Sequence, residues 1–279
     1  MTTKRTLQRV INARPSSDGD GVRMRRIAGR DVTAQMDPFL MLDEFGSEDG
    51  ADYIGGFPSH PHRGFETITY MLEGAMRHKD HLGNEGVIAS GDVQWMTAGR
   101  GVIHSEMPEQ TDGLLHGFQL WLNLPAAEKM QPAAYQEYAS AQIPVVDLQG
   151  RGRVKVIAGT FDQSGTTVSG PVADSSTHPT YLDIELEPGA NLELSINDAQ
   201  TALLLVFSGA STELSEGQMG IYQNGDVLSL TALEQGVRAL LLTGTPLREP
   251  VSQHGPFVMN TPEEIEQAIK DYNEGRLAT

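Results

Sequence analysis

Short runs of apolar or alternating residues fill most of this chain of 279 residues, and clusters of Gly, Pro, Asp and Asn separate them. Examples are ETITYMLEG at 66–74, TYLDIELEPG at 180–189 and TALLLVFSG at 201–209. Strand-length runs with turn residues between them are typical of β-sandwiches and β-barrels, whereas a parallel sheet needs helices between its strands. The pattern therefore predicts an all-β fold of the sandwich or barrel type.

Similar blocks of sequence recur in the two halves of the chain. Residues 90–104 (SGDVQWMTAGRGVIH) and 224–239 (NGDVLSLTALEQGVRA) share Gly-Asp-Val, Thr-Ala and Gly-Val in the same order. A further glycine precedes each motif at a similar distance, Gly74 by 17 residues and Gly209 by 16. Duplication is the simplest explanation, so we expect two β-barrel domains in tandem.

A polar stretch rich in Ala, Gln and Pro, residues 125–144, divides the chain near its middle. We therefore expect one domain over residues 1–135 and a second over residues 136–279. The second domain is expected to end in a short helix, at whose start Thr261 and Glu264 form a capping box. Apolar residues at intervals of three and four positions then form a single stripe for packing on a sheet.

Composition excludes several classes of protein. No cysteine occurs, so disulfides and thiolate metal sites are impossible, and we expect a reducing, cytoplasmic location. The longest aliphatic and aromatic run, ALLLVF at 202–207, is far shorter than the roughly 20 residues of a membrane span. A net charge of −17 argues against a surface that binds nucleic acid. We therefore expect that the protein binds neither membranes nor nucleic acid.

The histidines are unevenly distributed, and six of the eight lie between residues 60 and 116. His60 and His62 are two residues apart, so in a strand they point to the same face with Cα atoms about 6.6 Å apart. Two imidazoles at that spacing can bind one ion, and Pro61 favours the extended conformation that this requires. The pair predicts half of a metal site, with a surface His-x-His without metal as the alternative.

A second pair, His104 and Glu106, follows a glycine-rich turn and has the same spacing. Three imidazoles and one carboxylate suit Fe, Mn, Ni, Cu or Zn. Glu66 is four residues from His62 and points to the same strand face, so it competes with Glu106 for the place of the carboxylate ligand. The residues alone leave both carboxylates open.

The internal repeat provides a check on this cluster. Counting from the matched glycines, Ser195 and Asn197 take the places of the first two histidines, and Ala239 takes the place of His104. The second half therefore lacks metal ligands, and we expect it to have a structural or a binding role.

Several other polar residues have less specific patterns. His78 and His81 lie in a polar segment and are expected to be solvated. Gln119 shares a strand face with Trp121, which suits either a contact near the site or a core position. Arg63, next to a predicted ligand, suits either the steering of an anionic substrate or a surface salt bridge.

These residues belong to longer motifs that resemble a known family. The order His60, His62, Glu66 and then His104 resembles the two-part cupin metal motif. The spacings at both ends of the first part differ from those of the cupin motif by one residue. The blocks FPSHPHRGFETITYMLEG, GDVQWMTAGRGVIHSEMP, HGFQLWLNLP and QHGPFVMNTPEEIEQAI are similar to the pirin family over nearly the whole chain. The resemblance implies a bicupin, two tandem jelly-roll barrels of which only the N-terminal one binds a metal.

The family's ligands, carried over by motif, are His60, His62, His104 and Glu106. The resemblance implies one divalent ion, Fe(II) in the first place, with Mn, Ni, Cu or Zn as alternatives. It also implies activity as a quercetin 2,3-dioxygenase, which opens a flavonol or a similar aromatic enol with O2, with Glu106 as the base. The resemblance also implies an alternative function, that of an iron-binding regulatory protein that interacts with a transcription factor or a metabolic enzyme. The sequence leaves both functions open because both need the same ligands.

Overall fold

The computed structural model of the protein describes residues 2–163, 165–172 and 175–278. The elements of its N-terminal half are β1 (Leu7–Asn12), β2 (Arg14–Asp18), β3 (Val22–Ala28), α1 (Thr33–Met36), β4 (Phe39–Ser47), β5 (Phe57–His62), β6 (Phe65–Glu73), β7 (Ala75–Asp80), β8 (Glu85–Ala89), β9 (Val93–Thr97), β10 (Val102–Pro108), β11 (Leu115–Asn123) and β12 (Ala134–Tyr138). Those of its C-terminal half are β13 (Val145–Asp147), β14 (Gly152–Ala158), β15 (Thr160–Gln163), β16 (Thr166–Ser169), β17 (Thr180–Leu186), β18 (Asn191–Ser195), β19 (Thr201–Ser211), β20 (Gln218–Tyr222), β21 (Val227–Gly244), β22 (Ser252–His254), β23 (Phe257–Met259) and α2 (Pro262–Asn273). The all-β prediction is confirmed.

The chain forms two compact units. The first barrel comprises Arg14–Gly29, Phe39–Ser140 and the described residues from Leu247 onward. A seven-stranded sheet of order β12-β9-β6-β11-β4-β3-β2 and a four-stranded sheet of order β5-β10-β7-β8 form it. Alternating apolar residues of both sheets, such as Met71 on β6 and Met76 on β7, meet in a common core. Burial of this interior face stabilises the barrel at roughly 25 cal/mol per Å² of apolar surface.

The second barrel comprises the described residues up to Ala13, Arg30–Pro38 and the described part of Ala141–Pro246. Its main sheet has the order β1-β20-β19-β21-β17-β14-β13, and β18 pairs with the first part of β21. Strand for strand, this order repeats the order of the seven-stranded sheet in the first barrel. The predicted duplication therefore agrees with the sheet topology.

The two units are not continuous halves of the chain, unlike the expected domains of 1–135 and 136–279. The change of unit near the middle occurs between Ser140 and Ala141, close to the expected boundary. At the N-terminus, however, β1 pairs with β20 in the second barrel, and at the C-terminus α2 belongs to the first. Edge strands offer unpaired backbone groups that any strand can satisfy, so local sequence does not specify which sheet takes β1.

The C-terminal helix has the predicted start. The Thr261 hydroxyl accepts a hydrogen bond from the Glu264 amide at 3.2 Å, and the Glu264 carboxylate accepts one from the Thr261 amide at 3.0 Å. Ile265 and Ala268 are buried against Phe257 and Leu277 within the first barrel. Since α2 has 12 residues and is the longest helix in the described part of the chain, no described helix can cross a membrane.

The topology corrects one part of the predicted repeat. Gly91-Asp92-Val93 leads into β9, whose place in its sheet corresponds to that of β20, whereas Gly225-Asp226-Val227 leads into β21. Ala239 lies in the part of β21 that pairs with β17 and β19, which is the place of β11 and not of β10. The expected equivalence of Ala239 with His104 is therefore wrong. Ser195 at the end of β18, by contrast, lies on the strand that corresponds to β5.

Candidate metal centre

Two neighbouring antiparallel strands bring three histidines together inside the first barrel. His60 and His62 lie on β5, and His104 lies on β10 directly opposite His60. The ring centroids are 4.6 Å apart for His60 and His62, 4.5 Å for His60 and His104, and 5.0 Å for His62 and His104. One ring nitrogen of each residue lies within 4.8 Å of the others, which is close enough for a single metal ion.

The spacing of the nitrogens fits adjacent ligands of one ion. The Nε2 atoms of His60 and His62 are 2.9 Å apart. Two nitrogens that bind one ion at about 2.1 Å and at a right angle are about 3 Å from each other. The Nδ1–H group of His60 donates to the Pro58 carbonyl at 2.8 Å, so in the neutral ring the lone pair is on Nε2. This contact sets the tautomer that a metal ligand needs.

The buried nitrogens of the other two rings lack hydrogen bonds. His62 and His104 are almost fully buried, and Nδ1 of His62 and both nitrogens of His104 have no hydrogen-bond partner among the described residues. An unsatisfied buried polar atom costs about 1–3 kcal/mol, so three such atoms on two adjacent rings require an explanation. A cation explains the nitrogens that face the cluster. The residues present therefore fit a metal ion.

Burial keeps these imidazoles in the neutral form that binds metal. It lowers the pKa of His62 well below its ordinary value, and neighbouring His60 and His104 lower it further. The nearby Pro256 carbonyl raises the pKa of His62, but it forms no hydrogen bond of good geometry with the ring. The pKa of His104 falls to about 4, mainly through burial, although the Glu106 carboxylate opposes this change. At neutral pH both rings are unprotonated and offer lone pairs.

The two candidate carboxylates are both buried, and neither belongs to the three-histidine group. The Glu106 oxygens accept hydrogen bonds from the Thr69 hydroxyl at 3.1 Å and from the Gln119 amide at 3.2 and 3.1 Å. Glu66 accepts a hydrogen bond from the Thr97 hydroxyl at 2.7 Å, and burial raises its pKa. Neutral polar side chains hold each carboxylate, so the assignment of Glu106 as the fourth ligand stays a prediction.

Two aromatic side chains border the histidines. The ring centroids of His62 lie 5.2 Å from Phe65 and 5.5 Å from Trp121, and the latter two rings are 4.3 Å apart. Leu40, Met41 and Val258 complete this buried apolar cluster. The histidines thus have an apolar cluster on one side. The Glu106 carboxylate and its hydrogen-bond donors lie in the same barrel. Such a setting suits an aromatic molecule with polar substituents.

His78 is a polar core residue that sequence patterns did not identify. It is buried, whereas the sequence predicted a solvated side chain; His81 is exposed, as expected. His78 Nε2 lies 2.6 Å from a carboxylate oxygen of Glu137, and its ring stacks on Tyr135 at 6.0 Å. The signal was the alternation along β7, in which positions 76, 78 and 80 are buried while 77 and 79 are exposed.

Arg63 and Lys129 anchor the backbone next to the histidines. Arg63 is buried and donates to Asp271 at 2.8 Å and to the Leu277 and Arg100 carbonyls, so it is neither a surface ion pair nor open to substrate. Lys129 Nζ donates to the Gly64 carbonyl at 2.6 Å. These contacts tie the end of β5 to the C-terminal segment.

Comparison with known proteins covers both halves of the chain. The family model described as "Pirin" matches residues 21–122, and the model described as "Pirin C-terminal cupin domain" matches residues 181–278. The first matched range contains all three clustered histidines.

Individual relatives match over nearly their full length. A protein of Pseudomonas aeruginosa named "Putative quercetin 2,3-dioxygenase PA3240" is 47% identical over 285 residues, which cover 100% of both chains. Human "Pirin" is 41% identical over 276 residues, which cover 95% of this chain and 91% of that one. A crystal structure of quercetin 2,3-dioxygenase from Acinetobacter baumannii has a TM-score of 0.89 and 34% identity, with 99% of each chain covered. The fold of two cupin domains is therefore shared with these proteins.

Proposed function

The chain belongs to the pirin family, and from that premise we propose that it is a metal-dependent dioxygenase of the quercetin 2,3-dioxygenase type. Such an enzyme opens the heterocycle of a flavonol with O2 and releases carbon monoxide. The names of the relatives in Pseudomonas aeruginosa and Acinetobacter baumannii support the reaction class. The observation that carries the proposal is the cluster of three imidazoles, in which Nδ1 of His62 and both nitrogens of His104 are buried without a hydrogen bond.

We propose that His60, His62 and His104 hold one divalent ion and that Glu106 is the fourth ligand. Nitrogen and carboxylate donors suit Fe(II), which we propose as the metal, with Mn, Ni, Cu and Zn as alternatives. When bound, the ion supplies Lewis-acid activation of a substrate hydroxyl and the redox chemistry that O2 requires. The cysteine-free composition supports a reducing compartment, for which we propose the cytoplasm.

In this proposal Glu106 is also the base that takes the proton of the substrate hydroxyl. Its carboxylate lies two residues after His104 on the same strand and is buried. The Thr69 hydroxyl and the Gln119 amide donate to its oxygens and so hold its orientation before a substrate arrives. A general base that is held within reach of the proton contributes about 10²–10⁴-fold to the rate.

Trp121, in contact with the fully buried Phe65, provides the apolar surface for the flavonol rings in this proposal. Trp121 borders His62, so a ring packed against it places its hydroxyl groups toward the histidines. Packing of this kind also excludes water from the reacting centre, which strengthens the polar contacts there.

Three measurements test the proposal. Elemental analysis of the purified protein should show about one transition-metal ion per chain, and the iron-loaded protein should consume O2 when quercetin is added. Anaerobic titration with quercetin should shift the absorption band of the flavonol. If the metal is present but neither a band shift nor oxygen uptake occurs, the enzyme proposal for flavonols fails. An iron-dependent regulator that binds a protein partner then takes its place.

A further inference from the structure

The second barrel contains a cavity of about 390 Å³ at the place that corresponds to the histidine site of the first. Ser195 and Asn197 line it at and just after the end of β18. This strand precedes β19 and pairs with the first part of β21, as β5 precedes β6 and pairs with β10. The cavity is therefore the position at which a duplicated barrel would hold its ligand. Its volume lies within the range of about 300–1,000 Å³ that is typical of small-molecule sites.

The lining of the cavity combines apolar and polar side chains. Six buried apolar side chains contribute to it: Phe161, Val172, Leu182, Leu194, Ile196 and Leu241. Hydroxyl and amide groups of Thr180, Asn197, Gln200 and Thr243 provide hydrogen-bonding groups around them. An aromatic or aliphatic ring with attached hydroxyl groups matches this combination of apolar and hydrogen-bonding side chains.

The charges of the lining select against anions. Among the lining residues that the structure describes, none is a lysine or an arginine, and Asp162 provides the one carboxylate. Its carboxylate accepts a hydrogen bond from the Thr167 hydroxyl. The net charge of the chain, −17, also repels anions at long range. A carboxylate or phosphate ligand would find no lysine or arginine partner in this lining, in which the exposed His178 imidazole is the other titratable group.

Contacts among the lining residues hold its polar side in place. Gln200 Nε2 donates to the His178 carbonyl at 3.0 Å, and the Thr243 hydroxyl donates to Gln200 Oε1 at 3.3 Å. His178 has a φ of +44°, a left-handed conformation that a non-glycine residue adopts at a cost in free energy. Strained backbone that surrounding contacts maintain is common where ligands are held, and a pre-ordered lining lowers the entropic cost of binding.

From these observations we propose that the second barrel is a metal-independent binding site for a small uncharged aromatic molecule that carries a hydroxyl group. This function goes beyond the proposed dioxygenase activity, because it uses the other barrel and none of the metal ligands. The proposal assigns a binding role to the second half of the chain, in which Ser195 and Asn197 stand in the places of histidines.

The test uses the full-length His60→Ala, His104→Ala variant, so that metal chemistry in the first barrel does not contribute. The probe is 2-naphthol, titrated into protein with labelled leucine methyl groups. The methyl resonances of Leu182, Leu194 and Leu241 should shift and saturate together. The anionic analogue 2-naphthoate should bind at least about tenfold more weakly.

Two variants in the same background alter the site: one blocks it with a ring and the other removes a hydroxyl group. Ser195→Phe places a ring in the opening and should weaken 2-naphthol binding at least tenfold, whereas Glu193→Phe, on the same strand but outside the lining, should bind like the parent. Thr243→Val should weaken binding about fivefold, the loss expected for one hydrogen bond, and it supplies the test if Ser195→Phe does not fold. Absence of saturable shifts at the three leucines, or binding that neither Ser195→Phe nor Thr243→Val weakens, overturns the proposal. Since this background lacks flavonol turnover by design, either result is independent of the dioxygenase proposal.

Discussion

Gln119 on β11 donates its side-chain amide to both carboxylate oxygens of Glu106 on β10, at 3.2 and 3.1 Å. The two strands belong to different sheets of the first barrel, so this contact crosses its interior. Thr69 on β6 donates to the same carboxylate at 3.1 Å. The orientation of Glu106 therefore depends on residues that are 37 and 13 positions away along the chain.

Gln119→Leu should lower flavonol turnover by about 10–100-fold while the protein stays folded, because residues that orient a metal ligand have effects of this size. The measurement is oxygen uptake at matched iron content. Gln267→Leu, an exposed change on α2, is the control and should leave turnover unaffected. Unchanged turnover of Gln119→Leu at full iron content would show that Glu106 does not depend on this contact.

Glu106→Gln and Glu66→Gln form a matched pair that decides between the two carboxylates. Each change preserves shape and removes a negative charge. Glu106→Gln should reduce turnover by roughly 10²–10⁴-fold, as expected when a general base is removed. Glu66→Gln should have a smaller effect, because burial already raises the pKa of Glu66 and Thr97 can donate to either side chain. If Glu66→Gln instead lowers turnover more than Glu106→Gln does, the roles of ligand and base belong to Glu66.

The metal content of the protein should depend on the three clustered histidines and not on the total number of histidines in the chain. The His60→Ala, His104→Ala variant should fall from about one ion per chain to a small fraction of that in elemental analysis, because only one imidazole of the cluster is left. His116→Ala removes a histidine of the same barrel that contacts Glu44 at 2.9 Å, and it should retain the ion. Full occupancy in the double variant would refute the assignment.

Lys129 should make the stability of the protein depend on pH above neutrality. Its buried ammonium donates to the Gly64 carbonyl and to Oδ1 of Asn123, each at 2.6 Å, and to the Val258 carbonyl at 3.1 Å. Lys129→Met removes the donor for three acceptors and should lower the free energy of unfolding by about 2–4 kcal/mol at pH 7. Lys79→Met, at an exposed position, should change it by less than about 0.5 kcal/mol.

The direction of the pH effect follows from burial, which lowers the pKa of Lys129 to about 8 from an ordinary value of 10.5. Between these values the unfolded chain binds more protons than the folded one, so the stability of the wild type rises with pH. At about 1.4 kcal/mol per pKa unit, its advantage over Lys129→Met should widen by roughly 2–3 kcal/mol from pH 8 to 10.5. Denaturant titrations at several pH values measure this difference, and a constant gap would contradict it.

Much of the fold and the three histidines of the candidate site were predictable because their signals are local. Alternating burial along strands, the capping box at Thr261 and the spacing of His60 and His62 all concern residues a few positions apart. The same alternation was present along β7, but its inward positions His78 and Asp80 are themselves polar, so the burial of His78 was missed.

The sequence by itself determined that this protein is a duplicated all-β chain with His60 and His62 on one strand face, because side-chain periodicity and capping act within one element. Only the tertiary structure decided that β1 and α2 belong to the opposite barrels from those expected, and that Ala239 is not the counterpart of His104. It also decided that Gln119 and Thr69 hold Glu106 and that the second barrel encloses a cavity. These features depend on backbone pairing at sheet edges and on side-chain contacts between distant residues, and neither leaves a pattern within one segment of the chain.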